Sequence, residues 1–518
     1  MSIPSKPSAV IDSDVLVVGG GINGAGIARD AAGRGLSVVL CEKDDLASHT
    51  SSASSKLIHG GLRYLEYYEF GLVRKSLIER EVLLRSAPHI ITPLRFVMPH
   101  MKGLRPAWML RAGLFLYDYL APRELLPSSF AIKLHQHPAG VPLQQHLVRG
   151  FEYSDGWVDD ARLVVLNAMD AAERGARILT RTVCLSAQRD SGAWLAELRD
   201  DDGRLTTVRA KSLVNASGSW AAQFQQMVAP DQAGKTLRLI KGSHIVVKRL
   251  FEHPYAYIFQ HPDGRIVFAI PYQNDFTLIG TTDIDYHGDI NQVAIEPDEI
   301  QYLCELSSLY FQQSIQPADV LWSYAGVRPL VDDGSVDAKA ITRDYRLELS
   351  DADAPMLTVF GGKITTFRKL AEEAVDMLMP VIASDKPHPS AWTASACLPG
   401  GDIFTNRPDN RAVLEFDRFI HQLADEYPWL PPALLHRYAR AYGTRIRKLL
   451  EGRQSLAAMG QQIVEGLYEA EAEYLIHREW ACTAQDILWR RTKLGLHNPA
   501  EVSAIVDAWI ARRNAAHR

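Results

Sequence analysis

The sequence predicts an α/β protein with three parts: a parallel βαβ unit, an antiparallel-sheet region and a helical C-terminal region. Three observations predict it. A short β-branched run over residues 14–18 enters three consecutive glycines. Hairpin-spaced β-rich runs lie between residues 255 and 280. From Asp409 onwards the apolar residues recur at helical spacing.

Taken in order, Asp14-Val-Leu-Val-Val has the pattern of a buried parallel strand. The small-residue stretch GAGIARDAAG (24–33) follows as a helix, and LSVVL (36–40) as the second strand. Residues 45–62 are too rich in Ser and Gly for a core and read as a loop, with a helix over about 68–84 after it. Near the middle, Leu213-Val-Asn-Ala-Ser-Gly is a strand running into small residues. Residues 255–259, 265–272 and 276–280 are short strands, with Asp263-Gly264 and Asn274-Asp275 at the joins that hairpins require. Residues 356–360 form a strand that breaks at Gly361-Gly362 and leads into a helix over about 365–379. Beyond a Pro-rich joint near 386–389 and the turn Pro399-Gly400-Gly401, the patterns are helical. Tyr468, Ala472, Leu475 and Ile476, for example, share one face. Residues 391–518 are therefore expected to form a separate helical domain.

The 518 residues are 47% hydrophobic and 23% charged, ordinary values for a globular chain with core enough for three or four domains of roughly 150 residues. With 56 Lys+Arg against 61 Asp+Glu, the net charge of −5 argues against a nucleic-acid partner. A local basic site for a small anion is compatible with it. The five scattered cysteines form no CxxC pair, which points to a reducing compartment and to no zinc site. No stretch reaches the roughly 18 apolar residues of a membrane span; the nearest, residues 107–120, contains Arg111 and Asp118. His135 and His137 lack a third ligand at metal spacing and are expected in a solvated loop, so no metal is expected.

Gly19-x-Gly21-x-x-Gly24 lies between a strand and a helix, the context in which this fingerprint binds a dinucleotide. Gly19 permits the tight turn, Gly21 lets the backbone approach a pyrophosphate, and Gly24 allows close helix–strand packing. The helix N-terminus offers N–H groups and partial positive charge to that anion. Glu42 ends the second strand, placed to accept from a ribose hydroxyl. The turns Asn215-Ala216-Ser217-Gly218 and Phe360-Gly361-Gly362-Lys363 also end strands, far along the chain. A cofactor touched by such distant segments is more readily an extended FAD than a dissociable NAD.

Further motifs sharpen this reading: GGGINGAG, TSSASSKLIHGGLRYLE (50–66), RGFEYSDGWVDDARL (149–163), IKGSHIVV (240–247), IGTTD (279–283), YAGVRPL (324–330), ITRDY (341–345), FGGKITTFRKLAE (360–372) and WRRTK (489–493). As an ordered set they resemble the FAD-dependent, respiratory-chain glycerol-3-phosphate dehydrogenases of bacteria, within the D-amino-acid-oxidase-like flavoproteins. The resemblance runs from about residue 12 to the C-terminal helices. Its departures are a long N-terminal arm and Ser217 where Thr is common. It implies an α/β fold with a Rossmann-like FAD-binding domain (12–95, 150–235 and 325–390), an antiparallel-sheet substrate domain (96–149 and 236–324) and the helical domain (391–518). It also implies oxidation of sn-glycerol 3-phosphate to dihydroxyacetone phosphate, electron transfer to membrane quinone, a homodimer, and a cytoplasmic location peripherally attached to the inner face of the cell membrane. An oxidase of the same fold using oxygen and a non-catalytic dinucleotide-binding scaffold are the alternatives.

On this resemblance the reaction needs a base, a hydride acceptor and a phosphate clamp. Arginine suits the clamp because its planar fork bonds an anion bidentately; Arg63, Tyr64 and Arg343 are expected there, with Arg328 and Lys363 nearer the reacting carbon and the flavin. His244 is the expected base, because neutral imidazole accepts a proton near pH 7; His59 is its rival. Arg328 would stabilise developing oxyanion charge. Gly19, Gly21, Asn23, Gly24 and Glu42 are expected at the adenosine end of FAD. Ser54, Lys56, Gly60, Gly61 and Leu62 are expected along the ribityl and ring. Gly362, Lys363 and Thr365 would meet the flavin from the far strand, and Gly218 and Trp220 would face the cofactor from below. Residues 104–123 mix Arg105, Arg111 and Arg123 with Trp108, Leu110, Leu114, Phe115 and Tyr117, which suits either a lipid-facing surface or a buried helix. Arg490, Arg491 and Lys493 beside Trp489 are expected to serve the same membrane face or to cap the site.

Overall fold

The computed structural model describes residues 10–101, 103–232, 236–261, 264–331, 344–350, 353–382, 389–498 and 501–516. The βαβ unit comprises the strand Val10–Val18, the helix Ile22–Gly33 and the strand Val38–Cys41. The two strands pair in parallel, and Val10–Val18 also pairs in parallel with Leu205–Asn215. Met356–Phe360 and Arg177–Leu179 extend this parallel sheet on either side, and Arg346–Ser350 closes one edge antiparallel. The strands are near-continuous apolar runs because helices cover them. Ile22–Gly33 packs between Asp160–Glu173 and Phe367–Ile382, and its Gly26 lies against the Phe367 ring. Small residues on that helix are thus a packing requirement.

The second sheet runs in the order Ile284–Asp285, Leu237–Lys248, Phe276–Gly280, Ile266–Tyr272, Ala256–Gln260, Ile91–Pro99, Arg149–Val158, Leu57–Ile58. The expected hairpins are present, with Gln273 and Asn274 both at positive φ in the turn before Phe276. Val320–Val331 pairs along Leu237–Lys248. The expected segment boundaries at 95/96, 149/150 and 324/325 therefore fall inside strands of this sheet. Hydrogen-bonded ladders hold Ile91–Pro99, Arg149–Val158 and Val320–Val331 in it as whole units.

The C-terminal region is helical, with its own core around Phe419, Leu435, Tyr438, Ile446, Leu475 and Ile487. Buried ion pairs join it to the first domain. Arg491 donates two bonds to Asp45, at 2.7 and 2.8 Å, and Arg490 a third. Lys493 bonds Asp159, and Arg162 pairs with Glu479. The WRRTK cluster is therefore an inter-domain fastening, and Arg491 and Lys493 are buried; this corrects the expectation of a membrane face or an active-site cap.

Residues 104–123 contain the helix Ala107–Tyr119, which lies on the surface with Leu114 and Tyr117 turned inward. Trp108, Met109, Phe115, Leu116 and Tyr119 are exposed. Arg105, Arg111 and Arg123 bond Glu66, Ser129 and Asp118 respectively. Among the described residues no helix is long and apolar enough to cross a membrane.

Candidate active site

Three parallel strands end side by side at Val18, Asn215 and Phe360, and each runs into a glycine-containing turn. Ligands of open α/β sheets bind at such carboxyl ends. Gly19 has φ +113° and lies so close to the Ala216 carbonyl that no Cβ fits, and Gly24 is pressed equally onto Gly19. Gly361 and Gly362 are also left-handed. Gly21 is the N-cap of the helix and supplies no side-chain cap. The Asn23 Oδ1 atom is buried without a hydrogen-bond partner, while its Nδ2 donates to Gly361 O at 3.2 Å.

Two cavities, of about 280 and 290 Å³, meet at this point, and Gly21, Thr50, Ser51, Ala216 and Gly218 line both. The second runs past Glu42 to Trp220. Glu42 is buried; its two oxygens accept from Gly20 N (2.6 Å) and Asp44 N (2.9 Å), and burial pushes its carboxyl upward. His49 and Lys43 lie against the Trp220 ring. The first cavity runs past Leu62, Gly362, Lys363 and Thr365 into the second sheet. A bent channel with an acid at one end and a glycine-backed turn at its waist fits an extended dinucleotide.

Beyond the waist the lining becomes cationic. Arg63 Nη1 and Arg328 Nη1 approach the two oxygens of Asp283 at 3.2 and 3.0 Å. Arg63 Nη2 is buried without a hydrogen-bond partner. Lys363 Nζ stands 3.6 Å from the centre of the Tyr64 ring. His244 lines the same cavity from Leu237–Lys248, between Gly280 and Tyr324 in register. Its ring stacks on Tyr324 (4.8 Å between centroids), and Nε2 is 2.9 Å from Ser55 Oγ. Burial, with Lys56 and Arg328 nearby, holds its pKa well below 6.5, so the imidazole is neutral. His59 also lines the cavity, and its backbone N–H donates to Thr365 Oγ1.

Three expected cofactor residues line neither cavity: Gly24, which packs against Gly19, and Lys56 and Gly60. Lys56 is turned away from the cavity: its ammonium is buried against both oxygens of Asp160, at 2.8 and 3.0 Å. A buried ammonium needs a counter-charge, and the helix Asp160–Glu173 supplies it. Gly60 faces backward too, with its N–H donated to Tyr117. Ser54 lines the cavity while its hydroxyl bonds Asp160. Arg343 lies outside the described residues. Asp283, Ser55 and Tyr324 were not assigned roles from sequence, although Asp283 ends the IGTTD motif and Tyr324 opens YAGVRPL.

Residues 14–368 match the family described as FAD dependent oxidoreductase, and residues 391–513 match the C-terminal domain of alpha-glycerophosphate oxidase. The chain belongs to the FAD-dependent oxidoreductase family. It is 55% identical over 495 residues to a glycerol-3-phosphate dehydrogenase of Pseudomonas aeruginosa, covering 95% of this chain and 94% of that one. It is 50% identical over 507 residues to a D-erythritol 1-phosphate dehydrogenase of Brucella abortus, covering 97% and 98%. Among solved structures, a glycerol-3-phosphate dehydrogenase from Bacillus halodurans complexed with FAD superposes with a TM-score of 0.76 at 28% identity, covering 97% of this chain and 90% of that one. The bent channel lies within the stretch that matches this FAD-dependent family, and its cationic lining belongs to the first of the two cavities.

Proposed function

We propose that the protein oxidises sn-glycerol 3-phosphate to dihydroxyacetone phosphate and passes the electrons to a membrane quinone. The observation that carries this reading is the pairing of Arg63 and Arg328 around Asp283, beside a neutral His244, at the flavin end of the FAD channel. Bound FAD supplies the hydride acceptor. His244 takes the C2 hydroxyl proton, for which a neutral imidazole is required. Arg328 stabilises the negative charge that develops on that oxygen. Arg63, with its unpartnered Nη2, and Tyr64 bind the phosphate. Tyr324 and Ser55 hold the imidazole in place.

The relatives named for glycerol-3-phosphate dehydrogenase support this substrate. The relative named for D-erythritol 1-phosphate favours a second reading, a polyol phosphate one carbon longer. Comparing kcat/KM for the two phosphates separates them: the first reading expects glycerol 3-phosphate to be preferred, and the reverse preference overturns it. The acceptor is tested by anaerobic turnover with a soluble quinone, expected to be rapid. Fast oxygen uptake with stoichiometric peroxide in quinone-free enzyme would instead make it an oxidase.

For attachment, the exposed apolar face of Ala107–Tyr119 supports peripheral contact with a membrane. The neighbouring arginines already have partners, so apolar burial carries the contact more than attraction to anionic lipid. Co-sedimentation with neutral vesicles, lost in a Trp108→Ser, Phe115→Ser variant, tests this. A homodimer is expected to appear as a doubled mass in sedimentation.

A further inference from the structure

Behind the flavin loop lies a buried polar cluster that reaches the first cavity through Asp155, while its Tyr117 and Arg80 stand behind the lining. Tyr117, on the inner side of Ala107–Tyr119, is 3% exposed. Its hydroxyl accepts from Gly60 N at 2.8 Å and donates to Asp155 Oδ1 at 2.7 Å. The same Asp155 oxygen receives Arg80 Nη1 at 2.7 Å and Gly60 N at 3.2 Å. Arg80 Nη1 also donates to Ser154 O. Burial alone would favour a neutral Asp155; Arg80, Tyr117 and Gly60 N–H oppose that shift. Gly60 is fitted to this backing, because a Cβ there would run into the Tyr117 ring and hydroxyl.

The place this cluster grips is significant. Gly60 sits between His59 and Gly61, both of which line the cavity. Gly61 has φ +79°, and Leu62–Tyr67, which carries Arg63 and Tyr64, starts from it. One backbone N–H therefore sets the position of the flavin-side turn and of the two proposed phosphate-binding residues. A loop carrying such groups is precise only if a second layer of hydrogen bonds fixes it.

We propose that Tyr117 is a positioning residue, whose hydroxyl, locked by Asp155 and Arg80, fixes the Gly60–Gly61 turn against FAD. It touches neither substrate nor flavin. It also fastens that turn to a helix whose outer face is apolar and exposed, so the seat of the helix and the seat of the flavin loop move together. The consequence for Arg63 and Tyr64 rests on the proposed substrate reading, whereas the consequence for FAD does not.

The test uses purified holoenzyme. Tyr117→Phe keeps the ring and removes only the hydroxyl. FAD release, read as the rise in free-flavin fluorescence on dilution, should be about tenfold faster, the size expected for losing a buried hydrogen bond to a charged network. The visible flavin spectrum should change, and KM for glycerol 3-phosphate should rise with kcat within threefold. Asp155→Asn should release FAD faster to a similar degree, and the double variant should be no worse than the worse single variant, because both act through Gly60. Leu114→Ala, on the same inner face, removes packing without touching the cluster and should leave the release rate within twofold. If Tyr117→Phe releases FAD at the parental rate with an unchanged spectrum, or if Leu114→Ala speeds release as much, the proposal is overturned. If glycerol 3-phosphate proves not to be the substrate, the release rate and spectrum still decide it.

Discussion

Two sets of paired cations, one sealed and one beside a cavity, divide this molecule, and they do opposite work. At the domain interface, Arg162, Arg491 and Lys493 are sealed, with side-chain exposures of 1%, 0% and 3%, each against a carboxylate of the neighbouring domain. At the cavity, Arg63 and Arg328 keep 14% and 30% exposure and line a space of about 280 Å³. The chemistry of the side chains is the same. What differs is the surroundings: the interface cations are sealed one to a carboxylate, whereas Arg63 and Arg328 share Asp283 and also face an open cavity. A cation sealed against its partner contributes to stability and domain seating; a cation that shares its partner beside an open cavity is placed for binding and catalysis.

Mutating one member of each set should separate activity from stability. Arg328→Ala should lower kcat/KM about 1,000-fold, in line with losing a charged group at developing charge. Its unfolding free energy from urea titration should change by no more than about 0.5 kcal/mol, as for a group outside the packed core; a large stability loss would erase the distinction. Arg162→Ala should do the reverse. Removing one partner of a buried pair destabilises by about 3 kcal/mol, because Glu479 is left buried with only the more distant Arg491, at 3.8 Å, to offset its charge. Turnover per flavin at 15 °C should stay within threefold, and Arg162→Met with Glu479→Leu should recover much of the loss.

The interface also predicts a pH effect. His89, buried near Arg162, Arg440 and Arg445, has its pKa pushed down to about 3. The unfolded chain therefore takes up the proton first. The stability contribution is complete above about pH 6.5 and declines as pH falls towards 3, by about 2–3 kcal/mol between 6.5 and 4.5. Urea unfolding of His89→Gln should show a correspondingly flatter acid limb. The smallest effect returns to the cavity: Asp283→Asn should lower kcat/KM about tenfold by loosening two guanidiniums that it orients, the loss expected for one charged hydrogen bond. No change would mean that the arginines are set by other contacts.

Much of the cavity's backbone was legible from residue type, because glycines at Gly19, Gly24 and Gly362 are demanded by local geometry. The strand ends at Val18, Asn215 and Phe360 could be read from β-branched runs meeting small residues. Side-chain destinations were less legible. Lys56 sits in a flavin-loop motif yet points at Asp160, about a hundred residues away, and nothing in its local sequence distinguishes it from Arg63. The WRRTK cluster has the composition of a membrane-facing patch, but its partners Asp45 and Asp159 come from the first domain. Periodicity also missed that Arg149–Val158 and Val320–Val331 belong to the second sheet, since strand pairing is set by long-range ladders. Long-range pairing is the part a local pattern does not carry.

The central claim is that the cationic cavity delivers glycerol 3-phosphate to the bound flavin. The most direct measurement is anaerobic mixing of purified holoenzyme with sn-glycerol 3-phosphate while following the oxidised flavin absorbance. Complete bleaching, slowed at least a hundredfold in His244→Ala with its FAD content intact, is the predicted result. A flavin that stays oxidised with glycerol 3-phosphate but bleaches with an amine or amino acid would contradict the account.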